Sequence, residues 1–216
     1  VSPIKICGLT RVEDALAAAE AGADLLGIVF HDPSPRALKL AQASSLVRLV
    51  RQRAPSAKWI GVFVDTAIEQ IHRVVDTVKV DGVQLHGDES PNVVDRLVRA
   101  GLFVIKVLRV AEPAHLEGLD AYSPSAFLLD THVPGLHGGT GQTFDWSIAR
   151  DAAERQRIFL SGGLTSENVG AAVEAVRPWG VDASSGVESA PGRKDSEKMR
   201  AFIAAARRAL TQTEAE

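Results

Sequence analysis

"IKICGLTRVEDALAAAEAG" occupies residues 4–22 and changes rhythm once. Its first four residues form an apolar run broken only by Lys5, too short for a helix and suited to a strand. Thr10 follows, with Glu13 three residues on, which is the spacing of a capping box. The alanine-rich run behind it has helical character and stops at Gly22. The stretch is therefore a strand, a turn and a helix. At the strand's end stands Cys7, the only cysteine among 216 residues.

The same unit recurs along the chain. "LLGIVF", "WIGVFV", "GVQLH", "FVIKVL", "AFLLD", "IFLSG" and "GVDAS" are further short apolar runs bounded by turn residues. Helical spacing fills the intervals. "SPNVVDRLVRAG" offers Ser90 as a cap, Pro91 at the first helical position and Gly101 as a stop. "DSEKMRAFIAAARRAL" places Met199, Phe202, Ile203, Ala206 and Leu210 on one stripe. Eight strands alternating with eight helices, at roughly 20 to 33 residues per unit, predict a parallel sheet closed into a single (β/α)8 TIM barrel over residues 1–216. Such barrels typically need ~250 residues and can be as short as ~200. An open doubly wound sheet is the alternative and usually has fewer strands. No linker or low-complexity segment divides the chain.

Composition narrows the function classes. Hydrophobic residues make up 45% and charged residues 24%, enough for a substantial core. The net charge of −3 leaves no basic excess for a nucleic-acid backbone. A lone cysteine forms no internal disulfide and fits a reducing compartment. "VSPIKICGLT" lacks a basic segment followed by an apolar one, and no apolar run approaches the ~18 residues of a membrane span. The expectation is a soluble cytoplasmic protein that meets a small molecule, not nucleic acid or membrane. Monomer and homodimer both stay open.

In a (β/α)8 barrel the active site lies at the C-terminal ends of the strands. Cys7, His86, Arg109, Asp130, Ser161 and Asp182 stand at or near such ends. Strand alternation turns Lys5 and Cys7 inward if Ile4 and Ile6 face the helices; it turns Asp130 inward, and His86 together with Gln84. Each has a plain structural alternative. A single cysteine is often a small buried hydrophobe. A strand-end aspartate often anchors a loop, and His86 is able to do the same. Lys106 has the chemistry of a Schiff-base amine, but a barrel-layer lysine paired with a carboxylate is the commoner case.

Glycine-rich loops supply the second signal. "LSGGLTSENV" puts Gly162 and Gly163 before a helix with Thr165 as its expected cap, and "DASSGVES" puts Ser184, Ser185 and Gly186 ahead of a possible short helix. Loops after strands seven and eight are the common phosphate site of this fold, where free N–H groups meet the anion. "GLHGGTGQTFDW", after strand six, fits neither nucleotide fingerprint and reads as a lid. No cluster has metal-ligand spacing, and no cofactor is called for. Arg36, in "FHDPSPR", is either surface decoration or a bidentate clamp for a substrate carboxylate.

"KICGLT", "GGTGQTFDW" and "SSGVESAPGRKD", with "VQLHGDE" and "LSGGLTSENV" in order between them, resemble the phosphoribosylanthranilate isomerase family of tryptophan biosynthesis over nearly the whole chain. The resemblance implies a (β/α)8 barrel and an Amadori rearrangement of an N-ribosyl amine, with the substrate's nitrogen as electron sink. It implies Cys7 as general base, Asp130 as general acid and Arg36 on the anthranilate carboxylate. Gly162–Gly163 and Ser184–Ser185 match the phosphate loops. Asp182 matches an acidic residue facing the sugar, and His86 is placed with it among the substrate contacts. The chain departs from the family pattern at His31 and Asp32, and at Ala183 where valine is usual. A helix N-terminus near Cys7 is able to lower its pKa and supply a thiolate. Two rivals remain: the related histidine-pathway isomerase, which has aspartate where this chain has Cys7, and a non-catalytic sugar-phosphate sensor.

Overall fold

The computed structural model describes residues 2–110, 112, 116, 118–131 and 146–215. Eight parallel strands close into a barrel in sequence order, β1 (Ile4–Ile6), β2 (Leu25–Val29), β3 (Lys58–Phe63), β4 (Gly82–Leu85), β5 (Phe103–Val110), β6 (Ala126–Thr131), β7 (Ile158–Leu160) and β8 (Gly180–Ala183), with β8 pairing back onto β1. Helices α1 (Val12–Glu20), α2 (Leu40–Arg51), α3 (Ile68–Val78) and α4 (Pro91–Arg99) follow the first four strands. Helices α5 (Ser147–Arg155), α6 (Val169–Val176) and α7 (Ser196–Ala215) follow β6, β7 and β8. A 3-10 turn (Ser185–Val187) and a small hairpin, β9 (Glu188–Ala190) with β10 (Arg193–Lys194), separate β8 from α7.

The two-residue period of the strands divides the core into two layers. Ile4, Ile6, Leu26, Ile28, Val83 and Leu85 face outward and pack with the helices. Leu25, Ile60, Ile105, Val107, Ala126, Leu128 and Phe159 fill the barrel interior. Continuing the inward set toward the C-terminal ends brings up Cys7 with Val29 and Val62. The strands are thus largely apolar on both faces, with buried polar exceptions that include Lys5, Gln84, Lys106 and Asp182.

Several local expectations are overturned. The region between β5 and β6 holds a 3-10 turn (Leu119–Ala121) and no α-helix among the described residues. Gly118 stands at φ 86°, a conformation that ends helical winding. Helix α1 begins at Val12 without a side-chain cap, because the Thr10 hydroxyl donates instead to the Gly192 carbonyl at 2.6 Å. Helix α6 starts only at Val169, after Asn168 rather than Thr165. Asn168 accepts the Thr165 N–H at 2.8 Å and donates to the Gly163 carbonyl at 2.9 Å, which braces the loop behind Gly163. Ser90 precedes α4 and Pro91 opens it, although the Ser90 side chain makes no capping bond. Of the glycine-rich stretch read as a lid, residues 135–146, all but Trp146 lie outside the described residues. No described helix is long and apolar enough to cross a membrane.

The predicted stripe on α7 is buried in full. Met199, Phe202, Ile203, Ala206 and Leu210 are each at most 2% exposed, packed toward α6 and α1. Removing the Phe202 ring should therefore leave a cavity in the outer layer. Phe202→Ala is expected to lower unfolding free energy by about 3–5 kcal/mol. Urea denaturation of the variant checks this, and a loss below ~1 kcal/mol would mean that α7 contributes little to the core.

Candidate active site at the barrel mouth

The C-terminal ends of the strands surround a pocket whose lining includes Cys7, Arg36, His86, Asp130, Asp182 and Ser184. Ser161, Gln84, His31 and Ser34 are its other polar lining residues. Gly162, Gly163 and Ser185 do not line this pocket and sit behind it, in the loops after β7 and after β8. Those two loops touch: a Cβ on Gly186 would stand 2.0 Å from the Leu164 carbonyl oxygen, so only glycine fits there. Gly162 and Gly163 adopt φ of 86° and 65°. Among the described residues the Gly163 and Ser185 amides donate to no acceptor. Arg109 does not join the mouth lining; it pairs with Asp88. A separate hollow of about 540 Å³ between α2 and α3 contains none of these groups.

The register of β1 on β8 sets Lys5 opposite Asp182. Lys5 Nζ donates to Asp182 Oδ1 at 2.8 Å, and its side chain is wholly buried. Asp182 Oδ2 accepts from the Ser161 hydroxyl at 3.1 Å. Burial alone would lower the Lys5 ammonium, but the Asp182 carboxylate and the adjacent Cys7 outweigh it and hold Lys5 above its ordinary value. Lys5 belongs to the site, although only its inward parity was legible in the sequence.

Cys7 lies one step past β1, and its N–H continues the ladder to the Ala183 carbonyl at 2.9 Å. Gly27 on β2 makes room for it: a Cβ there would fall 2.8 Å from the thiol sulfur. Burial pushes the Cys7 thiol up, and the Asp182 carboxylate adds to that; the Lys5 ammonium opposes them without prevailing. The sequence left the direction of this shift open, and burial is its leading cause. The resting form is the thiol.

On the other wall, His86 Nε2 is 3.4 Å from Asp130 Oδ2, near enough for electrostatic contact but without hydrogen-bond alignment. Gln84 Nε2 meets His86 Nδ1 at 3.3 Å, so that with the amide donating, the ring hydrogen sits on Nε2 and faces Asp130. Lys106 alternates with the interior residues Ile105 and Val107 and so faces outward, not into a barrel layer. It is paired with a carboxylate as expected, Glu89 at 2.7 Å, and it also donates to the Gly87 carbonyl at 2.7 Å. Glu89 in turn accepts the N–H groups of Gly87 and Asp65, tying down the loop that carries His86. Among the described residues, no group of three or more His, Cys, Asp or Glu side chains is arranged to hold a metal.

A closed parallel barrel with a thiol, carboxylates, an imidazole and an arginine gathered at its C-terminal mouth defines a (β/α)8-barrel enzyme equipped for proton transfer. The sequence profile of N-(5'phosphoribosyl)anthranilate (PRA) isomerase matches residues 4–205, and the chain belongs to that family. An N-(5'-phosphoribosyl)anthranilate isomerase of Pelobacter propionicus is 48% identical over 210 residues, covering 97% of this chain and 98% of the relative. Phosphoribosyl anthranilate isomerase from Thermotoga maritima superposes with a TM-score of 0.88 at 38% identity, over 96% of this chain and 99% of the other. Another phosphoribosyl anthranilate isomerase structure, 37% identical with a TM-score of 0.84 over 96% and 99% of the two chains, contains reduced 1-(o-carboxyphenylamino)-1-deoxyribulose 5-phosphate.

Because Cys7 is the sole cysteine, its ionisation can be followed by alkylation alone. The iodoacetamide rate should rise with pH around a midpoint above the ordinary thiol value of about 8.5. Lys5→Met removes the stronger of the two cations that favour the thiolate, Lys194 being the other, so the midpoint should move higher still. A wild-type midpoint below the ordinary value would overturn the dominance of burial.

Proposed function

We propose that the chain isomerises N-(5'-phosphoribosyl)anthranilate to 1-(2-carboxyphenylamino)-1-deoxyribulose 5-phosphate, a step of tryptophan biosynthesis. The observation that carries this reading is the convergence of Cys7, Asp130, Asp182 and Arg36 on one pocket in a chain of this family.

Asp130 acts as the acid. Its proton goes to the furanose ring oxygen, the C1–O bond breaks, and the anilino nitrogen's lone pair forms an iminium. Cys7 acts as the base and takes the proton from C2; those C–H electrons form the enolamine, and the iminium nitrogen regains its pair. The enolamine then tautomerises to the ketone: C1 takes the proton back from Cys7 and the C2 hydroxyl gives its proton to the Asp130 carboxylate, so both groups are restored and the net change is an isomerisation. The thiol rests protonated and must first give up that proton to solvent; the Lys5 and Lys194 ammonium groups, and the iminium itself, favour the ionised form that then acts as the base. His86 faces Asp130 at 3.4 Å and helps to hold the acid in the pocket wall. Asp182, held by Lys5 and Ser161, faces the sugar. Arg36 takes the anthranilate carboxylate. The phosphate rests on the loops at Gly162–Gly163 and Ser184–Ser185, where open amides are available.

Freshly prepared phosphoribosylanthranilate should lose its fluorescence on addition of the protein, and an unchanged signal would overturn the assignment. Cys7→Ser and Asp130→Asn are each expected to lower kcat by on the order of 10²-fold or more, with a smaller change in KM. The melting midpoint of Cys7→Ser should barely move. A kcat within about threefold of wild type, combined with lost stability, would make Cys7 a packing residue only.

A further inference from the structure

The Arg36 guanidinium already has a carboxylate partner inside the protein. Nε donates to Glu188 Oε1 at 2.9 Å and Nη2 to Glu188 Oε2 at 2.7 Å. Glu188 opens β9, just past the 3-10 turn, and its side chain is 5% exposed. Its Oε1 also accepts from Lys194 Nζ at 2.9 Å and from the Gly192 N–H at 3.3 Å. Lys194, with no side-chain exposure, donates as well to the Ser184 carbonyl at 3.0 Å. The arginine stem is confined on another side by Gly8, where a Cβ would stand 2.4 Å from Arg36 Cδ. Burial works against ionisation of Glu188, but Arg36 and Lys194 outweigh it and hold its carboxyl below the ordinary range.

Two consequences follow from charge and geometry. Arg36 and Lys194 carry two positive charges against one negative charge on Glu188, and the neighbouring Lys5–Asp182 pair is neutral. The Asp14 carboxylate, which accepts the Lys194 N–H at 3.1 Å, adds a second negative charge beside Lys194, and Arg36 is the cation of this group that lines the pocket. Guanidinium also has five N–H donors in a rigid fork. Glu188 occupies the Nε–Nη2 edge, while Nη1 makes no hydrogen bond among the described residues. The Nη1–Nη2 edge is thus the one left to accept a second, incoming carboxylate bidentately.

We propose that Glu188 is a positioning residue for substrate selection: it locks one edge of Arg36 so that the opposite edge is presented to the carboxylate of the aromatic amine. Lys194 also pairs with Glu188 and helps to fix its carboxylate against Arg36. This inference rests on the assignment of Arg36 to that carboxylate. A pre-oriented fork loses little freedom on binding, which is how an internal partner strengthens the recognition of an external one. The selectivity is for aryl amines bearing an ortho carboxylate over those lacking it.

The test uses two ligands, reduced 1-(o-carboxyphenylamino)-1-deoxyribulose 5-phosphate and its counterpart built from aniline, which lacks the carboxylate. Calorimetry is run on the wild type, Glu188→Gln, Arg36→Ala and the double variant. Glu188→Gln should weaken the carboxylate-bearing ligand roughly tenfold and leave the aniline ligand within about twofold. In turnover it should raise KM with kcat nearly unchanged. Arg36→Ala should weaken the same ligand at least as much, and adding Glu188→Gln to it should cost nothing further. Equal loss for both ligands in Glu188→Gln, or loss for neither, overturns the proposal while leaving the Arg36 assignment intact. Equal loss for both ligands in Arg36→Ala removes the assignment itself, and the proposal with it. If Glu188→Gln does not fold, Glu188→Asp replaces it: a side chain one methylene shorter places its carboxylate too far back to hold both arginine nitrogens, so a smaller, still ligand-selective loss is expected, and its absence counts against the role.

Discussion

The barrel closes where β8 meets β1, and a buried ion pair lies on that seam. Lys5 and Asp182 are partners in register and meet at 2.8 Å with almost no exposure. Desolvating two such charges costs several kcal/mol per ion, so the pair is tolerable only with its remaining hydrogen bonds made. Ser161, at the end of β7, supplies one of them. Three strands are therefore held by a single polar cluster. Leaving either charge alone would cost about 3–5 kcal/mol. The cluster is also the nearest source of charge to Cys7, one layer closer to the mouth. The contact that closes the barrel and the electrostatics of the thiol are one and the same feature.

Around that seam the mouth is built by tying loops to buried charges. Glu89 collects the Gly87 and Asp65 amides and the Lys106 ammonium. Glu188 collects Arg36, Lys194 and the Gly192 amide, while Asp14 accepts the Lys194 N–H at 3.1 Å. Each tie anchors a side chain or loop that belongs to the pocket wall. Groups that must meet a reacting ligand within a fraction of an ångström need this kind of support, because a loop restrained only by solvent would lose the geometry. Gly8 and Gly27 belong to the same design. They are places where a missing Cβ lets a functional side chain lie flat against the backbone.

Local pattern and tertiary contact divide the chain's properties between them. The alternation of short apolar runs with helical stretches was legible along most of the sequence, as was the inward parity of Lys5, Cys7, Gln84, His86 and Asp130, because both depend only on the period of the chain itself. The motifs also carried the family. Helix starts were less legible. The Thr10 hydroxyl spends its hydrogen bond on Gly192, 182 residues away, and Asn168 braces a loop that Thr165 was expected to end.

What the sequence by itself determined is thus the barrel, its strand order and the set of polar residues aimed at the mouth. Only the tertiary structure decided which charges meet. It gave Arg36 a partner 152 residues away and Lys5 a partner 177 residues away, sent Arg109 to Asp88, and enclosed Cys7 so that burial outweighs the neighbouring ammonium. The physical reason is range. Side-chain periodicity is encoded within a few residues, whereas an ion pair or a desolvated thiol is defined by whatever the closed barrel brings within about 4 Å.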